Sequence, residues 1–147
     1  MKISVQTEHF DMGTEINAFI KTQNGMGAIV TFSGIVRELD DSPMSYMDIE
    51  HYPGMTEKAI GNILETAIKR WSLGDACVIH RFGRLCVGEP IMMVATSAPH
   101  RLDAFEAAEF LMDYLKSRAP FWKKEVTQEA AKWVAAKDED EDALSRW

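Results

Sequence analysis

Residues 55–97 read MTEKAIGNILETAIKRWSLGDACVIHRFGRLCVGEPIMMVATS, and the expected fold class follows from the order of the elements in this segment. Apolar residues in its first part, 55–71, recur at intervals of three and four, which predicts an amphipathic helix. The remainder predicts three strands separated by glycine turns, at 76–80, 84–87 and 91–97. A helix followed directly by three strands breaks the alternation of a doubly wound sheet. We therefore expect an α+β fold with a mixed or antiparallel sheet and packed helices.

Further elements are predicted on both sides of this stretch. Asp11 is suited to cap a helix that contains Ile16, Phe19 and Ile20 on one face. A second long helix is predicted at 103–118, ended by Pro120, and a short amphipathic piece at 128–135 with Trp133 on its inner face. Strands are predicted at 2–6, 28–37 and 47–52, and the apolar composition of 28–37 indicates a buried strand. The polar segment 38–43 is predicted to be a loop.

Composition limits the class of protein. The length of 147 residues fits one domain, 1–147, and 46% apolar with 27% charged residues is typical of a globular chain. The net charge of −7 disfavours general nucleic-acid binding, and five of the acids lie in one segment, 138–142, which we interpret as solvated. No apolar run approaches the roughly 20 residues of a membrane span. Cys77 and Cys86 lie in apolar runs, which indicates two core thiols in a reduced cytoplasmic protein.

A cationic segment, KSRAPFWKK at 116–124, holds four cations and no acid in an otherwise acidic chain. Such a local excess indicates a site for an anion, although cations that solvate a helix end would give the same pattern. The rings of Phe121 and Trp122 favour the first interpretation, because they would pack down and fix Lys116 and Lys123. A lysine held near apolar rings and other cations loses its proton more easily, which suits nucleophilic or acid–base chemistry.

Two further sites could bind an anion. His100 and Arg101 lie between a predicted strand and the start of a helix, where backbone N–H groups favour negative charge. Capping and solvation of the turn would explain this pair equally well. Arg37 ends the predicted strand 28–37, and a surface salt bridge is the commoner explanation of such an arginine. His9, His51 and His80 have no metal-ligand spacing, so we expect no metal site and no cofactor.

Four blocks of sequence together point to a known family: EHYPGMT at 50–56, VIHRFG at 78–83, HR at 100–101 followed by AFEA at 104–107, and DYLKSRAPFWKKE at 113–125. In these blocks the chain resembles the large, catalytic subunit of molybdopterin synthase, over about residues 27–133. The resemblance implies an α/β hammerhead fold. It also implies a sulfurtransferase of molybdenum cofactor biosynthesis that makes the dithiolene of molybdopterin from cyclic pyranopterin monophosphate. Sulfur would come from the thiocarboxylated C-terminal glycine of a small ubiquitin-like subunit, one docked at each end of a dimer of large subunits.

The resemblance also implies roles for individual residues. Lys116 and Lys123 match the two active-site lysines, and Arg37, His100 and Arg101 match groups that hold the anionic substrate. Lys124 and Glu125 lie in the same matching block and are expected to bind substrate. The resemblance also implies that Ile35, Val36, Arg70 and Met112 lie near the pocket, without specifying their roles. The segment 38–43 is shorter and more acidic than the family's loop, and Lys137 stands where some relatives would carry arginine.

Two other functions compete with this one. A non-catalytic anion-binding or assembly module on the same fold is the main alternative. A phosphate-ester hydrolase with His100 as the acid–base group ranks last, because the sequence has no nucleophile or metal motif for it. We also expect the chain alone to form a dimer, because its apolar helix faces and edge strands exceed what one small core covers.

Overall fold

The chain folds into two four-stranded sheets and four helices in the part that the computed structural model describes, residues 1–39, 43–135 and 137–147. The elements in chain order are β1 (Lys2–Gln6), α1 (Met12–Lys21), β2 (Ala28–Ile35), β3 (Met44–His51), α2 (Met55–Trp71), β4 (Asp75–Arg81), β5 (Gly83–Leu85), β6 (Pro90–Ala98), α3 (Arg101–Ser117), β7 (Phe121–Thr127), β8 (Ala131–Trp133) and α4 (Asp138–Ala143), which a 3-10 turn at Leu144–Arg146 follows.

The first sheet is mixed and carries the main core. Its strand order is β1-β4-β6-β2, with β1 and β4 parallel and the other pairs antiparallel. α2 and α3 pack against each other and against this sheet, and their apolar residues form the larger core cluster. α1 covers a smaller cluster that includes Phe10, Phe19 and Ile79. The predicted α+β class with packed helices is confirmed.

The second sheet is antiparallel and has the order β5-β3-β7-β8. Its pairing overturns the prediction for 128–135, because 131–133 form a strand and Trp133 is exposed. The cationic segment likewise contains a strand, β7, which pairs with β3 so that Phe121 lies opposite His51 and Lys123 opposite Ile49. Aromatic and branched residues at 121, 122 and 126 favour this extended conformation, and β3 supplies the hydrogen-bonding partner.

The three long helices match their patterns. α1 begins after Asp11, whose carboxylate accepts a hydrogen bond of 2.6 Å from the backbone N–H of Thr14. α2 spans the predicted residues, and Ser72 closes it in the left-handed region, at φ 48°. α3 runs from the end of β6 back along the sheet, and the Thr96 hydroxyl donates to the carbonyl of Ala104 near its start. Most apolar residues of α2 and α3 face the core, as the spacing predicts, but Phe105 on α3 and Ile20 on α1 are 60% and 49% exposed.

β2 is an edge strand rather than the buried strand that its composition predicts. It pairs only with β6, and Phe32 and Ile35 are 41% and 52% exposed. Ala28, Ile29 and Val30 pack against the core, whereas Phe32 and Ile35 form an uncovered apolar edge of the first sheet. Apolar density alone does not distinguish an edge strand from a central one, because both need a similar composition on the covered face.

The acidic segment 138–142 is helical and paired with cations, although none of its residues is buried. α4 and the following turn lie along α3. Arg146 bridges Glu109 and Asp113 at 2.6 and 2.7 Å, and Trp147 packs edge-on against Trp71 and Phe110. We call residues 137–147 the C-terminal strap.

The structure also tests the expectations for the two cysteines and for membrane-spanning helices. Cys77 is buried, and this raises the pKa of its thiol to about 11, whereas Cys86 is exposed and is not the core thiol predicted. No helix in the described ranges is long and apolar enough to cross a membrane.

Candidate active site

Lys123 lies on the inward face of β7. Side chains alternate along a strand, so Phe121 and Lys123 share one face, while Trp122 and Lys124 share the other. Phe121 packs on the main core, which fixes the direction of the Lys123 side chain. Burial lowers the pKa of the Lys123 amine, the positive charge of Lys116 lowers it further, and Asp140 acts in the opposite direction. Burial thus makes Lys123 release its proton more readily than a lysine in water does.

Lys116 lies beside it in the last turn of α3. Its side chain is half exposed, and its Nζ is 3.6 Å from the Asp140 carboxylate of the C-terminal strap. The Ser117 hydroxyl donates to the main-chain oxygen of Asp140 at 3.1 Å and holds the strap at this point. Arg118 adds a two-pronged contact to Glu141 at 2.8 and 2.9 Å. Two lysines with different surroundings, one half-buried and one facing solvent and a carboxylate, thus lie within electrostatic reach of each other.

Four rings, His51, His80, Phe82 and Phe121, contact one another beside β7, and none of them was assigned a catalytic or binding role from the sequence. His80 stacks on Phe121 with ring centroids 3.8 Å apart, and His51 lies 6.0 Å from Phe121 and 4.3 Å from Phe82. His80 is 3% exposed, and burial lowers its pKa to about 3. We call these four residues the ring stack.

Arg37 shares the end of the molecule with the lysines. It follows β2 by two residues, beyond the buried Val36, whose backbone bonds to Gly88 and Glu89 at the start of β6. Since α3 returns antiparallel to β6, its C-terminal end reaches the same edge of the sheet. Val36 and Leu115, one residue before Lys116, belong to one core cluster. Met112, one turn before Lys116, packs against that cluster too.

His100 and Arg101 lie at the opposite end of α3. The helix has 17 residues, and 16 steps at about 1.5 Å separate His100 from Lys116 by about 24 Å along its axis. The structure therefore does not bring this pair to the lysines of the same chain. The pair borders its own cavity of about 670 Å³, whose lining is largely apolar and consists of Gly27, Ala28, Pro99, His100, Arg101, Leu102 and Phe105.

Three predicted residues point elsewhere. Lys124 lies on the outer face of β7, 4.0 Å from Asp48 and 4.7 Å from the ring centre of Trp133, so its side chain is directed away from the face that carries Lys123. Arg70 donates to the main-chain oxygen of Trp147 at 3.0 Å and lies over the Trp71 ring, which ties the strap to α2. Ile35 is exposed at the β2 edge rather than in a pocket.

The remaining predicted positions lie on β7, in segment 38–43 and at the start of the C-terminal strap. Glu125 follows Lys123 on the same face of β7, opposite Met47. In the segment 38–43, the Glu38 carboxylate accepts a hydrogen bond of 2.6 Å from the backbone of Met44, and residues 40–42 lie outside the described ranges. Lys137 is exposed and precedes α4. Within the described residues, no group of three or more His, Cys, Asp or Glu side chains could hold a metal ion.

Comparison with known proteins identifies the relatives of this chain. The model of the MoaE protein family matches residues 5–118. A molybdopterin synthase catalytic subunit from Cereibacter sphaeroides is 63% identical over 147 residues, covering 100% of both chains. The structure of the molybdopterin biosynthesis MoaE protein from Burkholderia ambifaria superposes with a TM-score of 0.85, at 47% identity over 99% of this chain and 97% of that one. The structure of molybdopterin synthase from Staphylococcus aureus gives a TM-score of 0.82, at 30% identity over 90% and 96%.

Proposed function

The chain belongs to the MoaE family of molybdopterin synthase catalytic subunits, and we propose that it transfers sulfur at Lys116 and Lys123. The acceptor is cyclic pyranopterin monophosphate, and the donor is the thiocarboxylated C-terminal glycine of a small ubiquitin-like carrier subunit. The product is the dithiolene of molybdopterin. The observation that carries this proposal is the placement of a half-buried lysine with a lowered pKa beside a second, cationic lysine at the end of α3.

The two lysines suit the two halves of the reaction. The carrier's sulfur forms a bond to a carbon of the pterin side chain. Water then attacks the carrier's terminal carbonyl and breaks the acyl–sulfur bond, which leaves sulfur on the substrate and a carboxylate on the carrier. A second thiocarboxylated carrier repeats both steps at the neighbouring carbon, because the dithiolene holds two sulfurs. The Lys116 ammonium stabilises the oxyanion of the tetrahedral intermediate. Lys123, with its loosely held proton, donates to the substrate oxygen that departs and recovers a proton from water.

The same region of the chain supplies the cationic groups that bind the phosphate of the substrate. The segment 116–124 contributes cations without an acid, and Arg37 lies at the same end of the sheet. A cyclic phosphate presents oxygens that a guanidinium can bind through two hydrogen bonds. These groups therefore hold the phosphate of the substrate while Lys123 and Lys116 act on its side chain. We assign the reaction to the cytoplasm.

The position of His100 and Arg101 indicates that two copies of the chain share each site. The β2 edge exposes Phe32 and Ile35, and the start of α3 exposes Leu102 and Phe105. A twofold axis across these apolar surfaces sets the two α3 helices antiparallel, so that the start of one faces the end of the other. The partner subunit's His100 and the partner subunit's Arg101 then reach the phosphate held beside Lys116. One carrier subunit docked at each lysine site completes a heterotetramer.

A reconstituted assay tests the chemistry. The protein is incubated with cyclic pyranopterin monophosphate and the thiocarboxylated carrier, and the dithiolene product is measured. We expect Lys123→Ala and Lys116→Ala to lower turnover at least about a hundredfold, with carrier binding retained. Lys124→Ala is the matched control, because it removes the neighbouring lysine from the opposite face and leaves turnover within about twofold. Unchanged turnover in both lysine variants would support the assembly-module alternative and refute this one.

A mixing experiment tests the shared site. Lys123→Ala and His100→Ala chains are each nearly inactive as pure dimers. In a dimer of one chain of each kind, one site carries both changes and the other carries neither. Random pairing at equal amounts should therefore recover about a quarter of wild-type turnover. Recovery of none would show that each site lies within a single chain, and a monomer in sedimentation at micromolar concentration would exclude the twofold arrangement.

A further inference from the structure

His80 is a buried histidine that the reaction described above does not use. It lies near the end of β4 in the first sheet and contacts Phe121 of β7 in the second. The two rings are 3.8 Å apart and only 17° from parallel. Two separate sheets are thus joined by a flat contact beneath the strand that carries Lys123.

The proton of His80 is fixed by one hydrogen bond. Its Nδ1 lies 2.8 Å from the main-chain oxygen of Arg81, and a carbonyl oxygen can only accept. Nδ1 therefore carries a proton, and burial, which lowers the pKa of His80 to about 3, keeps a second proton off Nε2, so the ring is neutral at pH 7. Lys123 and His51 are the groups whose charges face His80, and both oppose a second proton on its ring.

His80 is linked to Lys123 through Phe121. Phe121 and Lys123 are two residues apart on one face of β7, where side chains are spaced by about 7 Å. The charge of Lys123 is close enough to His80 to oppose protonation of the imidazole. Burial is the largest cause of the lowered pKa of Lys123, so whatever keeps water from the stem of Lys123 also sets how readily the amine loses its proton.

We propose that His80 is a positioning residue for Lys123: its neutral ring, held between the Arg81 carbonyl and the Phe121 ring, excludes water from the lysine stem and keeps the amine ready to release its proton. This inference rests on the proposed function of Lys123. The imidazole does not exchange protons with substrate. It acts as a flat, uncharged surface, and a phenyl ring should replace it.

Direct titration of Lys123 tests the proposal without relying on turnover. The ¹³Cε signal of Lys123, assigned by its loss in Lys123→Arg, is followed against pH in the full-length protein. His80→Phe keeps the ring and should leave the midpoint of this titration unchanged. His80→Ala removes the ring and should move the midpoint to higher pH. Phe121→Leu breaks the same contact from the other side and should shift it in the same direction, which provides a second variant if His80→Ala does not fold.

Turnover provides the functional readout. At pH 7 we expect His80→Ala to lower kcat about tenfold with KM within about twofold, because an amine with a higher pKa is a weaker acid, and to move the alkaline limb of the pH profile to higher pH. His80→Phe should restore both. An unchanged Lys123 titration in folded His80→Ala and Phe121→Leu, or an equal shift in His80→Phe, would overturn the proposal. If the titrations shift as expected while the wild-type protein makes no dithiolene, the proposed function fails and the placement of Lys123 by His80 stands.

Discussion

Acidification from pH 7 to pH 4 is expected to cost this protein about 3 kcal/mol of stability through His80 alone. Burial lowers the pKa of His80 from 6.5 to about 3 in the folded protein. The unfolded chain binds the proton more readily, so between these two values stability falls as pH falls. Each pH unit well inside this window removes up to about 1.4 kcal/mol, and the loss levels off below the folded value.

Urea unfolding at pH 7, 6, 5 and 4 measures this loss, with His80→Phe as the matched control. The phenyl ring keeps the stack on Phe121 but has no titrating group. Losing the hydrogen bond to the Arg81 carbonyl lowers its stability by about 1 kcal/mol at every pH, so the comparison concerns slopes. Asp11 and Glu89 have lowered pKa values and titrate in both proteins, so their effect cancels. Parallel stability curves for the two proteins, or an imidazole signal of His80 that titrates near pH 6.5, would refute the reasoning.

Three further outcomes follow from contacts at the site and its supports. Asp140→Asn removes the carboxylate that raises the pKa of Lys123, so the midpoint of the Lys123 titration should move to lower pH in the same ¹³Cε experiment. A shift to higher pH would contradict the electrostatic effect that we assign to Asp140. Trp147→Ala should cost about 2–3 kcal/mol in urea unfolding, because the ring packs on Trp71 and Phe110, and a loss under 0.5 kcal/mol, roughly that of a surface change, would argue against the strap. Gly27→Ala places a Cβ 2.7 Å from the carbonyl oxygen of Pro99 and should cost about 1–3 kcal/mol, whereas Gly13→Ala, in α1 without such a contact, should be neutral or stabilising.

Local periodicity was sufficient for the helices but not for the second sheet. α2 and α3 could be predicted because their apolar stripes repeat over 17 residues each. The sequence did not predict β7, because the adjacent charges of Lys123 and Lys124 are typical of a solvated loop. Only the pairing with β3 identifies this segment as a strand. For the same reason, the sequence predicts the residues of β8 to be part of a short amphipathic segment. Strand pairing joins residues far apart in sequence, and no local window contains that information.

The candidate site could be predicted in part. The cation excess at 116–124 correctly marked the region of Lys116 and Lys123 as unusual. Side chains alternate between the two faces of a strand, so only one of two adjacent lysines faces inward. The sequence does not tell which one does, and the structure shows that it is Lys123. His80 was missed because a lone histidine in an apolar run resembles an ordinary core residue. Its position beside an arginine at the end of a buried strand is the one available signal, and it is weak.

The length of α3 limits how this sequence can change over evolution. Each residue added to a helix turns the following side chains by about 100° and moves them by about 1.5 Å. A single deletion inside Arg101–Ser117 would therefore rotate Lys116 off its edge and shorten the distance to His100, however conservative the remaining residues are. Substitutions on the outer side of the helix leave that distance intact. Natural variants should accept insertions in segment 38–43 while the interval of sixteen residues between His100 and Lys116 stays constant.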